Sequence, residues 1–90
     1  MIVGKQIPMY LKFTLRSLRI RADLTQSEAA LKLGVTADTL RRWEKDSGNL
    51  DITTIDKICE LYSIPRDYIF FGSDDALSVI LKTEKEKEAI

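Results

Sequence analysis

The chain has 90 residues, of which 44% are apolar, and it contains no histidine and a single cysteine. This length fits one globular domain, and the missing histidines exclude a His-dependent triad or metal site, while one cysteine excludes an internal disulfide and a cysteine-based zinc cluster. No apolar run approaches the roughly 18 residues of a membrane span, and the N-terminus lacks the pattern of a signal peptide, so we expect a cytoplasmic protein.

The zero net charge conceals an uneven distribution along the chain. Residues 1–45 carry nine Lys/Arg against four Asp/Glu, whereas residues 46–90 carry five against ten. Because the local field attracts a polyanion more than the total charge does, the first half is the better candidate for contacting one.

The first helix is predicted by the spacing of its apolar residues. Pro8 suits a first helical turn, and Asp23 ends the pattern. Spacings of four, three and four, the period of an amphipathic helix, separate Leu11, Leu15, Leu18 and Ala22.

A second and a third helix are predicted on either side of a tight turn. Thr25 and Glu28 have the spacing of a capping box, and Ala29, Ala30 and Leu33 form the inner face of the second helix. Gly34 can adopt the left-handed conformation that ends it.

Thr36 is a natural N-cap for the third helix, in which Leu40 and Trp43 should face inward. The side chains left to face outward are those of Ala37, Asp38, Arg41, Arg42 and Lys45. A helix held against its predecessor with an exposed polar N-terminal face is suited to reach base edges in a DNA major groove.

The rest of the chain is also predicted to be helical. After a loop at residues 46–49, a fourth helix places one apolar stripe at Ile52, Ile55, Ile58, Cys59 and Tyr62. Pro65 can start a short fifth helix through Phe70. We therefore expect an all-α domain at residues 1–72, with its motif at about 25–45, and a sixth helix or a frayed tail at residues 73–90.

With these elements in register, residues 11–71 resemble the Cro/lambda-repressor-like helix-turn-helix family, also called the XRE family. The resemblance is carried by Leu15-Arg16, Leu18-Arg19, Leu24-Thr25-Gln26, Ala30, Leu33-Gly34-Val35-Thr36, Leu40, Trp43-Glu44, Ile52, Ile55, Ile58, Ile64 and Pro65-Arg66-Asp67. It implies a compact bundle of five helices that binds operator DNA, usually as a dimer. A departure lies in the loop Lys45–Leu50, which lacks the proline often found there.

The resemblance also implies roles for single residues. Gln26 would contact phosphate from the first turn of the second helix, or it is an ordinary exposed glutamine. Arg19 and Glu44 would pair and join the first helix to the end of the third, which makes Glu44 structural. From helical spacing alone, independently of the resemblance, Trp43 and Cys59 are expected in the core.

The chemistry of the third helix predicts its DNA contacts. Ala37 can pack on a thymine methyl and Arg42 can bind guanine O6 and N7, while Asp38 either accepts from cytosine N4 or only favours the helix start. Phosphate contacts are predicted for Thr36, Arg41 and Lys45, in addition to Gln26, while Thr39 either contacts phosphate or faces solvent.

The sequence therefore predicts a sequence-specific regulator of transcription, a repressor or Cro-like switch of the kind found in prophages, bound to a palindromic duplex as a homodimer. No enzymatic activity and no cofactor are expected. An alternative is an antitoxin or a module that binds another repressor. Six apolar residues near the end of the chain either contact a second copy or a partner protein, or cover the base of the bundle. They are Tyr68, Phe70, Phe71, Leu77, Ile80 and Leu81.

Overall fold

A computed structural model describes the backbone of residues 11–88 and the side chains of residues 11–73 and 75–83. Five α-helices follow one another along the chain: α1 (Leu15–Arg21), α2 (Gln26–Leu33), α3 (Ala37–Lys45), α4 (Ile52–Tyr62) and α5 (Asp74–Glu88). A 3₁₀ turn (Arg66–Tyr68) lies between α4 and α5. The all-helical fold predicted from the sequence is confirmed.

Helix α1 begins later than the apolar spacing predicted. Thr14 is its N-cap, and the Thr14 hydroxyl accepts a hydrogen bond from the Ser17 backbone N–H at 3.1 Å. Leu11 precedes the helix and is 54% exposed, and Ala22, the C-cap, is exposed as well, so the predicted stripe holds only at Leu15 and Leu18. Pro8, predicted in the first turn, lies outside the described residues.

The turn between α2 and α3 has the predicted chemistry. The Thr25 hydroxyl accepts from the Glu28 N–H, and the Glu28 carboxylate accepts from the Thr25 N–H, which completes the capping box. Gly34 ends α2 with a φ of 76°, a left-handed conformation that a residue with a Cβ adopts only at a cost. Thr36 caps α3 through the Thr39 N–H.

The core lies where α2 packs on α3 and α4. Ala29 and Ala30 are fully or almost fully buried, so their small side chains permit the close approach of the neighbouring helices. Leu40 and Ile58 are the largest side chains that are almost completely buried. Trp43 and Cys59, which were expected in the core, are half-buried and pack against it, as does Val35.

Helix α4 departs from the predicted stripe at its first residue. Asp51 caps the helix through the Thr54 N–H at 2.8 Å, and this cap places Ile52 in the solvent-facing first turn. Ile52 is 55% exposed, so it was wrongly assigned to the inner face. The helix ends at Ser63, which takes a left-handed φ of 51°.

The predicted fifth helix is shorter than expected. It is a 3₁₀ turn that ends at Tyr68, after which Ile69 is extended and pairs with Phe13 in an isolated parallel bridge. The Phe13 N–H donates to the Tyr68 carbonyl at 2.7 Å, and the Phe70 N–H donates to the Phe13 carbonyl at 2.8 Å. These long-range bonds satisfy backbone groups that a continued helix would have bonded locally.

A second contact, here called the Ser47 latch, joins the loop after α3 to the segment before α5. The Ser47 N–H donates to the Gly72 carbonyl and the Gly72 N–H donates to the Ser47 hydroxyl, both at 3.0 Å. Beside them, Asp46 and Ser73 form an antiparallel bridge. Ser47 is 5% exposed, so the end of α3 and the beginning of α5 meet at a buried point.

Candidate nucleic-acid interface

The outward face of α3 is formed by polar side chains on a helix that is anchored from behind. Asp38, Arg41, Arg42 and Lys45 are exposed, while Ala37 and Thr39 are half-buried at the first turn. On the opposite face Leu40 is 1% exposed. The structure thus presents the predicted base-reading and phosphate-binding residues of α3 together on one surface.

Two polar contacts join side chains on this face. The Asp38 carboxylate forms a salt bridge with Arg41, three residues later in the helix. One guanidinium nitrogen of Arg42 lies 3.4 Å from the Thr39 hydroxyl, its potential acceptor. Because both side chains of the Asp38–Arg41 pair are more than half exposed, the pair contributes little to stability and is easily exchanged for other partners.

Behind α3, Arg19 and Glu44 are brought together as the resemblance implied. Arg19 Nε donates to Glu44 Oε2 at 2.7 Å, and the second bond of the fork runs from Arg19 Nη2 to Glu44 Oε1 at 3.2 Å. The side chains are 13% and 5% exposed. The hydrogen bond to Glu44 raises the pKa of Arg19, so the guanidinium stays charged throughout the accessible pH range.

The Arg19 guanidinium also donates to the Leu24 carbonyl at 3.0 Å, in the segment that leads into α2. One arginine therefore connects α1, the start of α2 and the end of α3. Removing either partner of this pair would leave a poorly solvated charge without its counterion.

Gln26, predicted to contact phosphate, is the first residue of α2 and is half-buried. Its side-chain nitrogen donates to Glu44 Oε1 at 3.1 Å. This bond was not predicted, because the two residues are 18 positions apart and no local pattern connects them. The Asp38–Arg41 pair was also missed, although its spacing of three residues was a visible signal.

The exposed cationic face of α3 has the shape and charge to enter the groove of a polyanion. The major groove of B-DNA, about 12 Å wide, admits one α-helix, and it presents acceptors that an arginine can bind bidentately. Arg41, Arg42 and Lys45 supply positive charge along α3, while Thr36 and Gln26 lie at the N-terminal ends of α3 and α2, where backbone N–H groups favour phosphate.

The six apolar residues predicted to contact a partner divide into two groups. Phe70 is 7% exposed and Phe71 packs against the core, so for these two the structure supports the alternative, in which they cover the base of the bundle. Tyr68 is 43% exposed. Leu77, Ile80 and Leu81 on α5 are half-buried and lie outside the core cluster formed by the described residues.

Within residues 11–88, no helix combines the length and the apolar character needed to cross a bilayer. Among residues 11–73 and 75–83, no group of three or more acidic or cysteine side chains is placed to hold a metal ion.

Comparison with known proteins gives concordant matches. The helix-turn-helix family profile matches residues 15–69. The HTH-type transcriptional regulator ImmR of Bacillus subtilis (strain 168) is 36% identical over 68% of this chain, and the match spans 47% of ImmR, about half its length. The cryptic phage CTXphi transcriptional repressor RstR of Vibrio cholerae is 28% identical over 84% of this chain and 77% of that protein.

Proposed function

Because this chain belongs to the helix-turn-helix family, we propose that it is a sequence-specific regulator of transcription, a repressor or Cro-like switch, that binds double-stranded DNA. The observation that carries the proposal is the construction of α3. Its inner face is fixed by Leu40 and Glu44, and its outer face presents exposed cationic side chains. The names of its relatives, a transcriptional regulator and a transcriptional repressor, support the same function.

In this proposal α3 lies in the major groove and the N-terminus of α2 lies against the backbone. Arg42 binds a guanine, Ala37 contacts a thymine methyl, and Asp38 exchanges its bond to Arg41 for a cytosine amino group. Phosphates are held by Gln26, Thr36, Thr39, Arg41 and Lys45.

We further propose that two copies bind a palindromic operator through half-sites about one turn of DNA apart. A single domain of this size buries limited area on DNA, so a second copy adds affinity. The apolar side chains of α5 outside the core, Leu77, Ile80 and Leu81, are the surface assigned to the contact between copies. Sedimentation velocity over a hundredfold dilution should show a monomer–dimer equilibrium that Leu77→Asp shifts toward the monomer.

The test of DNA binding is selection of duplexes from a random pool, followed by titration of the selected site with the Arg42→Ala variant. We expect a palindromic site, affinity that falls as salt rises, and a loss of roughly 1–3 kcal/mol with relaxed preference at one position for the variant. Arg66→Ala is the matched control, because Arg66 is exposed but lies outside the motif.

The alternative is a protein-binding function on the same fold, as an antitoxin or a partner of another repressor. The acidic second half of the chain and the apolar residues of α5 favour it. If no sequence is enriched and binding at low salt is equally weak for all duplexes, this alternative replaces the repressor.

A further inference from the structure

Glu44 accepts more hydrogen bonds than a simple ion pair requires. Its two carboxylate oxygens receive Arg19 Nε at 2.7 Å, Arg19 Nη2 at 3.2 Å and Gln26 Nε2 at 3.1 Å. The side chain is 5% exposed, so these donors replace most of its hydration. The bond from Gln26 joins the first turn of α2 to the last turn of α3, at the edge of the motif.

The bond fixes the direction of the Gln26 carboxamide. A carboxylate can only accept, so the amide must present its nitrogen to Glu44, and the opposite orientation would place two oxygens in contact. One of the two N–H donors of that nitrogen is then occupied, and the other is held at a set angle beside the N-terminus of α2. A donor that is already oriented loses less conformational entropy when it binds phosphate.

The negative charge of Glu44 must also be compensated if the residue is to lie close to DNA. A carboxylate near the DNA backbone repels phosphate, and here the bidentate contact with Arg19 compensates that charge. Glu44 can therefore stand behind Gln26 without opposing DNA binding.

We propose that Glu44 is a positioning residue for DNA binding, which acts by orienting the Gln26 amide toward a backbone phosphate. This inference rests on the proposed function. It assigns to Glu44 a part in affinity in addition to its structural part in the pair with Arg19.

The test is a double-mutant cycle with Gln26→Ala, Glu44→Gln and the double variant, titrated with the selected duplex under conditions where circular dichroism shows each full chain to be folded. We expect Gln26→Ala to weaken binding roughly tenfold to a hundredfold, as for the loss of one hydrogen bond to a charged group. Glu44→Gln should weaken binding of the parent but have little effect on the Gln26→Ala protein. Ser27→Ala, at the next exposed position of α2, is the control and should not couple to Glu44.

The sign of the Glu44→Gln effect separates the explanations. If Glu44 has only an electrostatic influence, removing its negative charge strengthens binding, and if it acts only through the fold, its effect is the same with and without Gln26. Either result overturns the proposal.

A variant that leaves Glu44 intact covers the case in which Glu44→Gln does not fold. Gln26→Asn keeps the amide but is one methylene shorter, so it cannot reach Glu44 and the phosphate together. We expect it to bind as weakly as Gln26→Ala, and binding equal to the parent would contradict the proposal. If the folded parent binds no duplex, the proposed function itself fails. If the parent binds tightly but the effects of Gln26→Ala and Glu44→Gln simply add, only this inference fails.

Discussion

Helices α2 and α5 are both present in the structure, but they are held in different ways. Helix α2 has 8 residues, a capping box at its start, a left-handed glycine at its end and three buried side chains. Helix α5 has 15 residues, begins at a single serine cap, and keeps Leu77, Ile80 and Leu81 outside the core cluster of the described residues. The shorter helix has the greater tertiary support, which shows that helix length does not measure anchoring.

The largest expected difference is between equal truncations in the two helices. Leu33→Ala in α2 removes a side chain that is 6% exposed and should lower the free energy of unfolding by about 2–5 kcal/mol. Leu77→Ala in α5 should cost less than about 1 kcal/mol, because little apolar area is withdrawn from the core. Urea denaturation followed by circular dichroism, at a concentration where the chain is monomeric, measures both.

Leu31→Ala serves as the control within α2, since Leu31 is 82% exposed and its truncation should change stability by no more than about 0.5 kcal/mol. Equal losses for Leu33→Ala and Leu77→Ala would mean that α5 belongs to the same cooperative core, and the contrast would disappear.

The next effect concerns the end of α2. Gly34→Ala should destabilise the protein by about 1–2 kcal/mol, because its φ of 76° is unfavourable for a residue with a Cβ. Beyond the adjacent backbone, no heavy atom lies within 4 Å of where the new methyl would stand, so the loss is backbone strain and not a clash. Thermal unfolding compared with Ser27→Ala tests this, and an unchanged Tm would contradict it.

A smaller effect compares the N-caps of the two helices. Thr25→Ala removes the acceptor of the Glu28 N–H and should cost about 1 kcal/mol. Ser73→Ala removes the acceptor of the Ala76 N–H, but fraying of α5 leaves the core intact, so a loss of a few tenths of a kcal/mol is expected in global unfolding. Amide exchange should nevertheless accelerate in the first turn of α5.

The smallest effect is a pH dependence confined to α2. The hydrogen bonds with Thr25 lower the pKa of Glu28 in the folded state. Because the folded pKa lies below the unfolded value, this contribution is fully present above the unfolded pKa of about 4.3 and is lost as the pH falls through the folded pKa. The Tm difference between the parent and Glu28→Gln should therefore shrink between pH 6 and pH 3, and a constant difference would show that the charge of Glu28 is not involved.

Sequence patterns predicted those parts of the fold that depend on neighbouring residues. The Thr25–Glu28 capping box, Gly34 and the Thr36 cap each require residues no more than four positions apart, and all three are present. The start of α1 and the end of the fifth element were wrong because the Phe13–Ile69 bridge joins distant segments. A local pattern contains no information on which backbone groups will be bonded across such a separation.

The same distinction applies to the candidate site. The outward face of α3 followed from helical periodicity, and Arg19 and Glu44 followed from resemblance. The bond from Gln26 to Glu44 depends on the angle at which α2 crosses the end of α3, which no spacing within either helix determines. The residues of the candidate interface could therefore be predicted from the sequence. The partners that orient them could be identified only from the three-dimensional structure.

The Ser47 latch gives this molecule a property beyond stability. The end of α3 and the beginning of α5 meet at one buried contact. Two copies joined through α5 would therefore hold their α3 helices at a fixed separation and rotation. Inserting one base pair between half-sites displaces them by about 3.4 Å along the DNA axis and by roughly 35° around it. A rigid dimer would tolerate such an insertion poorly, so it would select operators by the length of an uncontacted spacer as well as by the bases it touches.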